Sequence, residues 1–309
     1  MVRLAGRMRG KQLFCWAAAL GLAVLAPRAR GGEGPGPALK VLVITGADPG
    51  KFHPWEKNIE LVRERLAVFG IRDPEVLVAK DADEWRANWH GKYSDYAAVV
   101  MIYWWEQAPE EELKKLDEYV RNGGGLVLAH STLAGCHDQK IFDAWTGFAY
   151  REHKPDYGSN LVFDADGKRI VRAPGEGKGS YHLPIGPFVI QTHDAAHPIM
   201  AGLPARWMQA PDELYLFLRG PDTNQHVIAT ALATDGTFVP QAWVKDLGKG
   251  RIFCLTPGHH APAASSVGFI TMLARGIEWA ASGKVTSKVP ANFPGETEPV
   301  TDLPRWGKE

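Results

Sequence analysis

Gly123-Gly124-Gly125-Leu126-Val127-Leu128-Ala129-His130-Ser131-Thr132 is the stretch from which the fold is read. Three glycines release a preceding helix, and the apolar residues that follow read as a short buried strand. The strand ends in a polar pair and a turn. In an open α/β sheet the carboxyl ends of the strands are where ligands bind. It is also where a strand–turn–helix elbow presents a Ser or Cys nucleophile. Here the position belongs to His130. A thiolate attacking from that point is excluded, because no cysteine stands there.

Working outward, strands and helices alternate. Leu39–Gly46 is β-branched and ends in a turn. His53-Pro54-Trp55 precedes an amphipathic helix carrying Ile59, Leu61, Val62, Leu66 and Phe69, stopped by Gly70. Val76–Val78 is a second strand, and Asp81 caps a helix with Trp85 and Trp89. Ala97–Tyr103 is a continuous apolar run, so a strand buried on both faces. Pro109 opens a helix with Leu113, Leu116, Tyr119 and Val120 on one side. This spacing predicts βαβ units, an α/β class and a doubly wound, mostly parallel sheet. Residues 150–190 read as an excursion from it, without a core of their own. Val227–Leu232 and Val239–Val244 read as strands joined by a turn at Asp235-Gly236. Arg251–Leu255 is the last strong strand, and a core helix with Phe269, Met272, Leu273, Ile277 and Trp279 ends near Gly283.

Residues 1–31 read as a secretory signal peptide, with Arg3, Arg7, Arg9 and Lys11 before an apolar run from Leu13 to Leu25 and small residues around Ala26–Ala29. A periplasmic or secreted protein without a transmembrane helix in its mature form is the expectation. The mature domain is placed at 32–283, and residues 284–309 are read as an extended C-terminal tail. The six basic residues of 1–31 leave 29 basic against 35 acidic residues in the remainder, a net −6. That balance speaks against a nucleic-acid partner. Cys136 and Cys254 make no disulfide framework, and Cys254 reads as a buried free thiol.

Several polar or aromatic positions fall at strand ends or just beyond: His53, Tyr103-Trp104-Trp105, His130-Ser131, Asp212-Glu213 and His259-His260. Their convergence at one sheet edge carries the argument, since each has an ordinary structural reading alone. His197-Pro198 reads as a turn. Trp104 and Trp105 read either as packing or as a sugar platform.

The chain from about Leu39 to Gly283 resembles the ThuA-like (trehalose-utilisation) family of the class I glutamine-amidotransferase-like superfamily. The matching segments are Gly123–Ser131, His197-Pro198-Ile199, Asp212-Glu213-Leu214-Tyr215, and Gly248–Phe253 leading to Gly258-His259. The family's acidic residue after the Gly-His pair is His260 here, so that acid does not carry over. The resemblance implies a flavodoxin-like fold and a role in carbohydrate metabolism, on trehalose-derived or keto-disaccharides. Amidotransferases carry a Cys at the elbow, so glutamine hydrolysis through a thioester is excluded.

Two chemistries fit the residues. His53, His130 and His259 are candidate ligands of a divalent metal such as zinc, leaving an open position to activate water. His130, Glu213 and His259 are otherwise candidate catalytic acid–base groups for hydrolysing or isomerising a sugar, with Glu213 orienting an imidazole. His53, Tyr103, Trp104, Trp105, Ser131, Asp212 and His260 are candidate substrate contacts. The competing class is a non-catalytic module that holds a glycan on a scaffold that has lost its nucleophile. Imidazoles gathered within one coordination sphere favour the first class, and scattered ones the second.

Overall fold

The chain is described by a computed structural model covering residues 39–134 and 140–303, except the side chain of Trp105. The signal-peptide reading of residues 1–31, Cys136 and residues 304–309 of the tail lie outside the described residues. The first half alternates as its periodicity requires: β1 (Val41–Thr45), α1 (Trp55–Leu66), β2 (Glu75–Val78), α2 (Ala82–Asn88), β3 (Ala98–Met101), α3 (Glu110–Arg121), β4 (Gly125–Ala129), α4 (Ser131–Ala134) and α5 (Lys140–Thr146). Asp81 caps α2, its Oδ1 accepting from the backbone N–H groups of Asp83 and Glu84. Pro109 stands at the start of α3.

The second half is mainly strand: β5 (Ser159–Phe163), β6 (Arg169–Arg172), β7 (Tyr181–His182), β8 (Gly186–Thr192), β9 (Arg206–Asp212), β10 (Tyr215–Leu216), β11 (Arg219–Gly220), β12 (His226–Leu232), β13 (Phe238–Leu247) and β14 (Gly250–Leu255). Helices α6 (Ala261–Ser265) and α7 (Val267–Ser282) follow.

The main sheet runs β2-β1-β3-β4-β14-β13-β12-β8-β9. It is parallel from β2 to β14 and antiparallel from β14 to β9. The sheet is thus mixed, and only its first half has the parallel order that strand–helix alternation predicts. The cause lies in the connections: the Asp235-Gly236 turn and the Gly248 turn are too short for anything but antiparallel return. The excursion predicted at 150–190 adds strands to this sheet, β5 pairing with β13, β6 and β11. The small apolar cluster beside it, with Val162, Leu214 and Phe217, shares Val239 of β13. Buried Arg219 fastens the glycine-rich 173–178 segment by donating to the carbonyl oxygens of Ala173, Glu176 and Lys178.

Alternate side chains of the parallel strands enter two cores. Leu42, Ile44, Val99, Met101, Leu126 and Leu128 pack with Trp85, Leu113, Leu116 and Trp145 from α2, α3 and α5. Val41, Val43, Val100 and Val127 pack with Ile59, Val62 and Leu66 of α1 and with Ile270, Leu273 and Ile277 of α7. Helices therefore cover both faces, which is why these strands read as unbroken apolar runs. Gly125 is demanded by one approach: a Cβ there would lie 2.6 Å from the Ala280 carbonyl of α7.

Residues 284–303 form no regular element and lie along the α7 side. The Glu278 carboxylate accepts from the backbone N–H and hydroxyl groups of Thr286 and Ser287. Val267 N–H donates to Val300 O at 2.8 Å, and Met208 N–H to Gly295 O at 2.7 Å. No helix among the described residues is long and apolar enough to cross a membrane.

Candidate functional site

Three chain segments bring their imidazoles together at the carboxyl edge of the parallel strands. His130 follows β4 at the turn into α4, with φ 41°. That left-handed backbone is uncommon for a residue bearing a Cβ and turns the side chain out of the strand direction. His130 N–H donates to Leu255 O at 2.9 Å, tying the elbow to the neighbouring strand. Its Nδ1 lies 2.8 Å from Thr256 O. A carbonyl only accepts, so Nδ1 carries the proton and Nε2 is the free nitrogen of the neutral ring.

His53 arrives on the loop after β1. Its backbone N–H donates to Asp48 Oδ2 at 2.6 Å, and its Nδ1 lies 3.3 Å from Asp48 Oδ1. His259 arrives on the loop after β14, and its Nδ1 lies 3.2 Å from His130 Nε2. Ring centroids stand 5.0 Å apart for His53 and His130, 4.9 Å for His53 and His259, and 5.2 Å for His130 and His259. One ligand nitrogen from each of the three lies within 4.8 Å of the others. Such spacing is what three ligands of a single metal ion require.

The loop that carries His259 is held by Asp212 at the end of β9. Its buried carboxylate accepts from Gly258 N–H (2.8 Å), His259 N–H (3.1 Å), Glu213 N–H (2.9 Å) and Gln209 Nε2 (3.1 Å). Burial pushes the Asp212 carboxyl up to about 7 against those four donors. Next in the chain, Glu213 turns toward the imidazoles. Its Oε2 lies 3.4 Å from His259 Nδ1 and 3.7 Å from His130 Nε2, and its Oε1 lies 3.5 Å from His182 Nδ1. Burial raises the Glu213 carboxyl, and His182 opposes the shift.

All three imidazoles are held below the usual histidine range. For His130, burial is the first cause, followed by the like charge of His53 and of His259. For His53, burial outweighs Asp48. For His259, burial and then His53 bring the value down to about 4. Near pH 7 the three rings are therefore neutral, which is the ligating form.

The donor set fits a divalent ion of the zinc type. A tetrahedral ion with Zn–N of about 2.0–2.1 Å sets its ligand nitrogens roughly 3.3 Å apart, and the His130–His259 pair already stands at 3.2 Å. For two of the three rings the far nitrogen is held, by Thr256 O and by Asp48, as metal-ligating histidines commonly are.

The other predicted residues divide. Ser131 is buried and lines the pocket beneath the trio with Thr45, Asn58, His53, His130 and His259. Trp104 is half-buried, its ring 6.2 Å from that of His53 and its Nε1 donating to Glu106. His260 stands at the start of α6, its ring 5.4 Å from that of His259. Tyr103 is fully buried in the core, edge-on to Trp85 at 5.1 Å. The apolar face of β3 claims its ring. Asp212 likewise has no exposed surface, and it shapes the 258–259 loop instead of touching a substrate. Sequence reasoning missed Asp48, Asn58, His182 and Tyr215. The Tyr215 hydroxyl lies 3.5 Å from His130 Nε2. A signal for Asp48 existed in its place just after the first strand, five residues before His53. None existed for Asn58 and His182, which sit in an ordinary amphipathic helix and in the irregular excursion.

The profile of the ThuA family, described as trehalose utilisation, matches residues 40–280. The chain belongs to the ThuA family. A crystal structure of a ThuA-like protein from Parabacteroides merdae is 31% identical over 86% of this chain and 98% of its own, with a TM-score of 0.76. A second ThuA-like protein, from Bacteroides uniformis, is 16% identical over 83% of this chain and 98% of its own, with a TM-score of 0.52, a likeness of fold alone. Comparison with curated proteins gives no match. In this ThuA-family chain the residue at the elbow after β4 is His130.

Proposed function

We propose that this ThuA protein is a periplasmic or secreted enzyme of carbohydrate metabolism that hydrolyses or isomerises a disaccharide, including keto-disaccharides, at an ion-binding histidine site. The observation that carries it is the approach of His53, His130 and His259 to within 4.8 Å, with Glu213 facing two of them. The trio would hold a divalent ion such as zinc. Such an ion supplies Lewis acidity and lowers the pKa of bound water.

The chain's own residues do the rest. Asp48 and the Thr256 carbonyl fix which nitrogen of His53 and of His130 faces inward. Glu213, with its carboxyl raised by burial, is placed to take and return a proton beside His259. Phe52 stands 63% exposed next to His53, and Trp104 lies nearby. Aromatic faces of this kind suit a sugar ring, and they equally support a glycan-binding module as the second reading. The elbow carries no thiol, so the glutaminase route is not part of the proposal. We also read 32–283 as one amidotransferase-like domain before its tail. The parallel strand order, with helices on both faces, supports a flavodoxin-like layout.

The test is zinc titration by calorimetry with metal analysis, on wild type and on His130→Ala, beside a turnover screen of plain and keto-disaccharides. Wild type is expected to bind about one ion per chain, and His130→Ala far less. Equal stoichiometry in the two proteins overturns the ion site. Binding of sugars without turnover by ion-loaded wild type favours the glycan-binding module.

A further inference from the structure

Asn58 of α1 is 4% exposed and lines the pocket beneath the three imidazoles. Its Nδ2 donates to His259 O at 3.1 Å. Because a carbonyl only accepts, that bond fixes which end of the amide is which. The other end, Oδ1, is buried and has no hydrogen-bond partner among the described residues. Buried acceptors in native proteins are paired with protein or with ordered water.

The pocket offers the room. Its water-accessible volume is about 10 Å³, which suits a single solvent molecule. Its apolar walls, Ala47, Ile59 and Ile102, donate no hydrogen bond from their side chains. Its polar walls include His53, His130 and His259, and the unprotonated Nε2 of neutral His130 faces the cluster, 3.2 Å from His259 Nδ1. A molecule that fits is small and donates to Asn58, and the imidazoles are among the polar groups that it meets.

We infer that Asn58 is a positioning residue for one water molecule held between its Oδ1 and the His53–His130–His259 cluster. The amide accepts one water proton. The water oxygen is thereby oriented, with its lone pairs left for the cluster side. This deepens the function proposed above and rests on it, since an ion held by the trio would supply Lewis acidity to the same water. The presence of the water itself does not depend on the ion.

Crystals of metal-free and zinc-loaded wild type, together with Asn58→Leu and Asn58→Ala, test it. The expected result is a solvent oxygen within about 3.2 Å of Asn58 Oδ1 in both wild-type forms. Leu fills the space and accepts nothing, so Asn58→Leu is expected to expel the water. Ala leaves room for solvent but accepts nothing, so Asn58→Ala is expected to admit solvent displaced from its wild-type position. Both variants lose the tether to His259 O, so a purely structural role for Asn58 predicts the same behaviour from each. Visible spectra of the cobalt(II)-loaded proteins separate the two cases. Asn58→Leu is expected to show bands shifted by a lost solvent ligand, and Asn58→Ala a smaller shift between wild type and Asn58→Leu, from a solvent ligand that is present but no longer oriented. A dry pocket in metal-free wild type, or matching spectra for the two variants, overturns the inference. Wild type that keeps the water but binds no zinc supports the inference and removes the ion site. Zinc bound above a dry pocket does the reverse. The wild-type crystals decide the matter even where Asn58→Leu fails to fold.

Discussion

Asp48 grips His53 at two points, through the backbone N–H at 2.6 Å and through Nδ1 at 3.3 Å. One carboxylate thus sets both where the chain turns and which ring nitrogen faces the other imidazoles. Asp48→Asn removes the charge and keeps the shape. On the proposed ion site, it is expected to lower zinc affinity about 10- to 100-fold with little loss of fold. Competition against a chelator, with circular dichroism as the control, measures it. Unchanged affinity would mean that Asp48 serves the loop alone.

Glu213→Gln keeps the side-chain length and loses the proton acceptor beside His259. Ion binding is expected to persist while turnover of the best disaccharide falls by about 10²- to 10⁴-fold. The check is kcat measured at matched ion occupancy. A parallel loss of ion and activity would instead make Glu213 a fourth ligand.

Gly258 has φ 127°, and a Cβ there would lie 3.0 Å from the Phe269 ring and 3.4 Å from His130 Cβ. Gly258→Ala combines backbone strain with crowding at the elbow. A stability loss on the order of 1–3 kcal/mol is expected, with weaker ion binding because His130 and His259 are pushed apart. Urea denaturation and zinc titration of the variant check both parts.

His197 is a remote pH probe. Burial first, then His226, bring its pKa down to about 4, while Asp194 opposes them. The unfolded chain takes up a proton near pH 6.5 that the folded chain refuses until about pH 4. This residue therefore adds no pH dependence above 6.5 and costs stability as the pH falls from 6.5 to 4. Urea melts of metal-free wild type and His197→Gln at pH 7 and pH 4.5 are expected to show a smaller acid loss in the variant. An equal loss would place the sensitivity in the imidazole trio.

The parallel half was legible because β1, β3 and β4 are buried on both faces and the helices between them on one, so the hydrophobic period states the element type. The antiparallel half was only partly legible. β12 and β13 were readable around Asp235-Gly236, but β6 and β8 are exposed or half-exposed along most of their length, and their apolar residues are diluted. At the site, His53, His130 and His259 could be named because all three follow strong strands. Tyr103 shows the limit of that logic, since standing at a strand end does not say which face claims a ring, and its ring is buried in the core. Asn58 and His182 act through contacts more than 200 and about 30 residues away along the chain, to His259 and Glu213 respectively. No local pattern records such pairings.

The order in which the site's parts are synthesised has a consequence for biogenesis. A chain made only as far as the fourth parallel strand carries His53 and His130 but neither Glu213 nor His259. The strand that completes the parallel half, β14, is also the one that delivers the third imidazole, and it docks between β4 and β13. On the proposed ion site, capture would be a late event that waits for long-range closure of the sheet, and a nascent or truncated chain would offer a passing metal only an incomplete grip.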